Sequence, residues 1–418
     1  MNNINMDFFT GSCDERGFER KEIFIEVDYF LERKHGEFSD GDVFLSRKNK
    51  SGSRIVSVLS DGLGSGIKAN VLAALTASML SGFVLKDISL HYASSLIINS
   101  LPVCKKRALS YAAFTLVDAR HNLTVRFVEY ENPPLAVVRD GRILELKKEA
   151  VAIDRKNKKT GPENEALYYS THQAQPGDRI VFFSDGAAQA GIGRGEFEGG
   201  WGVENINERI LGQIRSHPLI SSRDLAKSVV QEAVRIDGGK AHDDISCGVV
   251  YYRKPRDALV VTGAPFHKEN DANAAAVFNN FSGKKIILGG TTAKIIAREL
   301  NRSLETRCED GGPAVSVMEG ADLVCEGALT LKAAAGILEE GEAAWRGSAR
   351  KSAGGAVLQF IEYLLNSDRI DFIVGTKINE AHFNPDMPVE LEARRAVIKR
   401  LSALLEERYF KQTRVTYI

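Results

Sequence analysis

The chain has 418 residues, with 55 Lys+Arg against 55 Asp+Glu and a formal net charge of zero. That length exceeds one ordinary core and predicts about two domains. The charge balance lacks the basic excess of a general nucleic-acid binder, so no nucleic-acid partner is expected.

Five cysteines (Cys13, Cys104, Cys247, Cys308 and Cys325) form no Cys-x-x-Cys pair. With the odd count and no charged-then-apolar leader at the N-terminus, they predict a reducing, cytoplasmic setting. The longest apolar stretch, Val71 to Leu85, is interrupted by Thr76, Ser78, Ser81 and Gly82. It falls short of the ~20 residues of a membrane span, so a buried helix is expected and no span.

Strands are predicted over 22–32, 43–47 and Ser53–Ser60, the last ending at Asp61. A helix from about Ile67 to Leu85 and a second over 87–100 follow. Ala112–Asp118, Leu123–Tyr130 and Leu135–Arg139 have the rhythm of an antiparallel meander, and Asp140-Gly141 is a hairpin turn into Ile143–Leu146. Arg155 to Pro162 reads as a loop, and Tyr168–His172 and Arg179–Ser184 as strands. The glycine-rich stretch Ala187 to Gly202 reads as a mobile flap ending at Trp201. Ser221–Ile236 is an amphipathic helix with capping chemistry at its start, and Ile245–Tyr252 a strand. Arg253-Lys254-Pro255-Arg256 reads as a boundary. Beyond it, Leu259–Thr262, Lys284–Leu288, Leu304–Arg307, Leu323–Cys325 and Phe372–Val374 alternate with helices near 270–280, 293–300, 330–338, 353–366 and 389–407. That alternation predicts an α/β domain with a parallel sheet over 258–418.

Four aspartates end or begin short apolar runs: Asp42, Asp61, Asp185 and Asp243. Three of them adjoin glycine. A lone Asp-Gly is a turn far more often than a site, and Asp140-Gly141 is read that way. Asp61-Gly62-Leu63-Gly64-Ser65-Gly66 admits three readings: a tight capped turn, a dinucleotide loop, or a metal site. Its spacing is not Gly-x-Gly-x-x-Gly, and an aspartate at the loop repels a pyrophosphate. Metal binding accounts for acid and glycine together, since carboxylates and a backbone carbonyl form the all-oxygen shell that Mg²⁺ and Mn²⁺ prefer. No His-x-His or His-Glu-x-x-His pattern argues for zinc.

Asp61-Gly62-x-Gly-x-Gly, Phe182-Phe183-Ser184-Asp185-Gly186 and Asp243-Asp244-Ile245-Ser246 together resemble the PPM (PP2C-type) protein serine/threonine phosphatases. The order is most similar to the bacterial branch typified by sporulation stage II protein E. Ser39-Asp40-Gly41-Asp42-Val43-Phe44 resembles the start of that branch, and Glu131-Asn132-Pro133-Pro134 its Gly-His-Pro-Pro turn. The resemblance covers about residues 20 to 252. Ser65 and Asn132 depart from the usual residues, but no ligand position is lost.

The resemblance implies an α+β fold for 1–254, an α/β/β/α sandwich of two antiparallel sheets flanked by helices. It implies two Mn²⁺ or Mg²⁺ ions. Asp61 would bridge them, the Gly62 carbonyl would bind one, and Asp185 and Asp243 would hold the second. Asp42 would act through water, and Asp244 is the fallback for Asp243. The implied chemistry is direct hydrolysis of phosphoserine or phosphothreonine by metal-activated water, with no cysteine or serine nucleophile. Cys104 and Cys247 are then packing residues. His242 is a candidate general acid, and Arg194 and Arg54 are candidate phosphate contacts. In that branch, helices after the acids switch to order the metal site, an expectation that falls here on 187–236. The expected partners are a phosphorylated regulatory protein of the anti-anti-sigma kind, an unidentified ligand or protein at the second domain, and a second copy of the chain.

In the second domain, Gly289-Gly290-Thr291-Thr292 follows a strand and opens a helix, where free N–H groups favour an anion or simply make a tight turn. Two alternatives therefore stand beside the phosphatase. One is a scaffold that binds a phosphoprotein without hydrolysing it; the other is a small-molecule enzyme or sensor centred on the Gly289–Thr292 loop.

Overall fold

The computed structural model describes residues 23–64, 66–100, 112–152, 166–193, 197–307, 315–341, 354–377, 389–409 and 411–418. Cys13, Cys104, Cys308, Ser65, Arg194 and the loop expected at 155–162 lie outside them. The described residues form two compact units, one within Lys21–Lys254 and one within Pro255–Ile418.

The first unit is built on two antiparallel sheets. One runs in the order β1 (Phe24–Glu32), β11 (Ile245–Arg253), β10 (Arg179–Phe183), β6 (Ala136–Arg139) and β7 (Arg142–Leu144). The other runs β2 (Asp42–Lys48), β3 (Arg54–Gly62), β4 (Ala112–Arg120), β5 (Thr124–Tyr130), β9 (Ala166–Gln173) and β8 (Glu149–Ala152). Period-two alternation gives each sheet two apolar faces. Leu59, Val117 and Phe127 of one sheet meet Ile180, Phe182 and Val250 of the other in the central core. The outer face of the larger sheet packs Val56, Leu116 and Val128 against helices α1 (Ile67–Leu85) and α2 (Leu90–Ser100). The outer face of the smaller sheet packs Val181, Cys247 and Val249 against α4 (Gly202–Ser216) and α5 (Ser222–Ile236). The result is the four-layer α/β/β/α sandwich.

Several expectations need correction here. Helix α1 is 19 residues long and is the one helix among the described residues long and apolar enough to cross a membrane. It is also not the buried helix expected. Ala69, Ala73, Ala77, Leu80 and Val84 sit on the sheet, whereas Ile67, Val71, Leu75 and Met79 face outward. The second helix begins at Leu90 rather than 87, because the Ser89 hydroxyl accepts the Tyr92 N–H and the Ser89 carbonyl the Ala93 N–H. The stretch read as a flap is in its described part folded: α3 (Asp185–Gln189) is followed by turns, and Trp201 is buried with its N–H on the Ala190 carbonyl. Helix α4 was not expected, although Ile206, Ile210 and Ile214, all buried, carry a clear four-residue spacing. The preceding glycines masked that signal.

The second unit has a seven-stranded sheet ordered β14 (Leu304–Arg307), β15 (Val315–Met318), β16 (Leu323–Cys325), β13 (Lys284–Leu288), β12 (Asp257–Thr262), β17 (Arg369–Val374) and β18 (Gln412–Tyr417). From β16 to β18 the strands are parallel, while β14 and β15 form an antiparallel edge. The sheet is thus mixed rather than wholly parallel, and β15 and β18 were not expected. Helices α6 (Asn270–Asn280) and α7 (Gly290–Glu299) cover one face. The other is covered by α8 (Ala328–Glu340), α9 (Gly355–Asn366) and α10 (Val389–Glu407). Parallel strands therefore have both faces buried.

Candidate metal centre

The acids of the first unit meet at one end of the sandwich because antiparallel pairing brings strand ends together. Asp42 opens β2 and Asp61 nearly closes β3, and the two are direct register partners. Gly62 follows, packed so tightly under the first turn of α1 that a Cβ there would lie 2.2 Å from the Ala69 carbonyl oxygen. No side chain fits, so glycine is required by close approach. On the facing sheet, Asp185 starts α3 at the end of β10, and Asp243 and Asp244 precede β11. A Cβ on Gly186 would lie 2.2 Å from the Asp244 carbonyl oxygen, so the turn after Asp185 rests directly on the chain after Asp243. A second lock is the serine pair. Ser184 donates its N–H to the Ser246 carbonyl at 3.0 Å, and Ser246 returns its N–H to the Ser184 hydroxyl at 3.0 Å.

The acids are unequal. Asp42 is buried and accepts the Ser246 hydroxyl at 2.5 Å. Burial pushes its carboxyl up to about 8, against hydrogen bonds from Ser246 and Ser184 and with repulsion from Asp244 and Asp185. Asp61 is raised well above the ordinary range by burial and then by Asp42, Asp185 and Asp243. Asp243 is also raised, chiefly by burial, with Lys34 opposing. Asp244 is buried and both its oxygens are engaged: Oδ1 accepts the Lys34 N–H at 3.2 Å and Oδ2 the Gly41 N–H at 3.0 Å. It pins the chain before Asp42, whereas Asp243 presents a side chain 44% exposed.

The donors are all oxygen, which suits a hard divalent cation. Among the described residues, no group of three or more His, Cys, Asp or Glu side chains is already closed enough to hold an ion. Asp42, Asp185 and Asp243 all lie close enough to Asp61 to act on its charge. The fit to a hard cation lies in the donor set itself, carboxylates with the Gly62 carbonyl and no nitrogen or sulfur among them.

Residues 51–253, just under half of the chain, match the family model for stage II sporulation protein E (SpoIIE). Over this region the chain is similar to the SpoIIE family. No curated protein matches the chain. Among solved structures, the phosphatase domain with a fragment of the regulatory domain of the cell fate determinant SpoIIE from Bacillus subtilis is 18% identical, with a TM-score of 0.44 over 56% of this chain. The chain spans 65% of that structure. The S. agalactiae serine/threonine phosphatase is 14% identical, with a TM-score of 0.39 over 55% of this chain and 99% of that one. RsbX in complex with magnesium is 14% identical, with a TM-score of 0.36 over 54% of this chain and 94% of that one.

Within the SpoIIE-type domain, three residues beside the acids escaped the sequence reading. Lys34 Nζ lies 3.7 Å from Asp243 Oδ1. Gln189 donates to Asp185 Oδ2 at 2.7 Å. Asp237 binds the segment before Asp243. Gln189, one turn after Asp185 on the same short helix, was within reach of an i,i+4 argument; the other two carry no motif. Arg54 is not near the acids. It begins β3, about 23 Å from Asp61 at ~3.3 Å per residue, and its guanidinium is committed to buried Asp118 at 2.6 Å and to Asp87 at 2.8 Å. His242, the candidate acid, has its ring Nδ1 3.2 Å from Asp237 Oδ1. Cys247 is a buried free thiol whose pKa burial pushes up, as packing residues behave.

In the second unit, Gly289 caps α7 at a φ of 113°, Gly290 and Thr291 are exposed, and Thr292 is buried. The Gly289 N–H is already spent on the Cys325 carbonyl at 2.7 Å. Glu326 caps the next helix through the Ala328 and Leu329 N–H groups. The connection reverses direction at β12, so the switch-point crevice lies between β12 and β17 rather than at the Gly289 loop. There, Gly375 N–H bonds the Thr262 carbonyl at 2.8 Å.

Proposed function

We propose that the SpoIIE-type domain hydrolyses phosphoserine and phosphothreonine on a regulatory protein, with two Mn²⁺ or Mg²⁺ ions. Asp61, the Gly62 carbonyl, Asp185 and Asp243 would hold them, with Asp42 acting from behind through water. The observation that supports this reading is the convergence of strand-end acids, with Asp42 and Asp61 as direct register partners and the turn after Asp185 resting on the chain after Asp243, a concentration of negative charge that a divalent cation relieves. Bound divalent ions supply an activated water and neutralise phosphoryl charge. The residues do the rest. Ser184 and Ser246 fix the two acidic segments, Gln189 orients Asp185, and Lys34 offers a positive group beside Asp243. A groove of about 610 Å³, lined by Tyr29, Arg33, Lys34, His35, Asp40 and Arg223, reaches the acids through Lys34 beside Asp243 and would receive the phosphorylated segment.

The test is manganese-dependent release of phosphate from a phosphoserine peptide, lost in Asp61→Ala and Asp185→Ala. Equal activity in those variants would sink the site assignment, and binding without turnover would favour the scaffold.

The substrate we infer is a phosphorylated regulator of the anti-anti-sigma kind, supported by family alone. A second copy of the chain is the partner we propose for the outward ridge of α1. The buried free thiols Cys247 and Cys325 fit a cytoplasmic setting. For residues 258–418 we propose a sensing role, with Gly290, Thr291 and Thr292 the groups nearest an incoming anion and Gly289 shaping the turn. Thermal-shift screening of the full chain with phosphorylated metabolites checks this; no shift favours a protein partner instead.

A further inference from the structure

Asp237 is an unusual residue to find where it is. It caps the C-terminus of α5, where the helix dipole disfavours a negative charge. It is also only 3% exposed. Its carboxylate is engaged by two stretches of chain, one 46 residues before it and one five residues after. Oδ1 accepts the Gly191 N–H at 2.8 Å, and Oδ2 accepts the His242 N–H at 2.9 Å. The His242 ring Nδ1 completes the set at 3.2 Å from Oδ1. Gly191 lies in the turn after α3, the helix that Asp185 begins, and His242 immediately precedes Asp243.

The two segments carrying Asp185 and Asp243 are thus tied on both sides. The Ser184–Ser246 pair ties them at the strand ends, and Asp237 ties them beyond the acids. We propose that Asp237 is a positioning residue that fixes the spacing of Asp185 and Asp243 and thereby sets the domain's affinity for divalent cations. This rests on the metal reading above. An acid at a helix end that disfavours it, buried and bonded to both ligand-bearing segments, is a local conflict that helix stability alone does not explain. Outer groups that orient ligands in this way typically govern affinity by about 10–100-fold.

The experiment is Mn²⁺ binding to the full chain, titrated by electron paramagnetic resonance and by calorimetry, with melting measured in chelator alongside. Asp237→Ala is expected to weaken Mn²⁺ by about 10-fold or more. Asp237→Asn, which keeps one acceptor for the Gly191 N–H, is expected to fall between it and the unsubstituted protein and serves if the alanine variant does not fold. Asp178→Asn, another buried acid of the same unit, is the control expected to lower the melting temperature with Mn²⁺ affinity unchanged. Mn²⁺ affinity in Asp237→Asn equal to that of the unsubstituted protein, with Asp61→Ala abolishing binding, would overturn this proposal alone. No Mn²⁺ binding by the unsubstituted protein would overturn the metal reading and this one with it.

Discussion

Asp42 and Asp61 stand directly opposite each other on β2 and β3, two carboxylates in one antiparallel register pair. Like charges so placed oppose the pairing they belong to. Asp42 stays protonated in the fold up to about pH 8, whereas its unfolded carboxyl releases its proton near 3.8. The native state therefore binds more protons between those limits, and metal-free stability falls as pH rises through that window. In chelator, the melting temperature is expected to decline from about pH 4 to about pH 8. Asp42→Asn should flatten the decline, leaving the part due to Asp61, and raise the melting temperature at the alkaline end. Mn²⁺ should restore stability there in the unsubstituted protein. An unaltered slope in Asp42→Asn would refute the account.

Asp178 behaves in the opposite sense. Burial alone would raise it, but Arg139, His172 and the Gln175 N–H outweigh that and hold it at about 2. Its contribution is present above the unfolded value of 3.8 and is lost as pH falls toward about 2. That shift corresponds to roughly 2 kcal/mol. Asp178→Asn is expected to cost about that much at neutral pH and little at the acid end, as denaturant melts at several pH values would measure.

Lys34 offers a test of charge at the site. Its ammonium lies 3.7 Å from Asp243, and both side chains are more than a third exposed, so as an ion pair it contributes little stability. In the proposed reaction it would meet a phosphoryl group. Lys34→Ala is expected to lower kcat/KM by about 10-fold, roughly 1.4 kcal/mol of transition-state stabilisation, with Lys34→Arg close to the unsubstituted protein. An unchanged kcat/KM would reduce Lys34 to a surface ion pair.

The strand-end acids and their glycines were legible because both obey local rules: apolar runs end where acids begin, and close approaches demand glycine. The sequence could not say that Asp244 would turn both oxygens to backbone amides, or that Arg54 would be consumed by Asp118, because those partners lie far along the chain. Lys34 and Asp237 were silent for the same reason: their meaning is in the contact, and neither carries a spacing. Helix α4 was legible and missed, since Ile206, Ile210 and Ile214 keep helical spacing behind a run of glycines. Strands β15 and β18 at or near the edges of the second sheet are short and part-polar, and only pairing defines them.

Helix α1 yields the last prediction. Ile67, Val71, Leu75 and Met79 recur every four residues and so form one nearly straight ridge. They are 72%, 49%, 52% and 38% exposed, and Tyr92 and Leu96 of α2 are exposed as well. Contiguous apolar surface of this kind marks an interaction site more often than a free face. The alanine-rich opposite face already holds the helix to its sheet, so the ridge is not needed for folding the domain. With a second copy as the occupant, the full chain should run as a dimer by light scattering, and the double variant Leu75→Glu, Met79→Glu as a monomer with an unchanged melting temperature. A unsubstituted chain that is monomeric at high micromolar concentration would remove the second copy as the occupant and leave the ridge to a different protein.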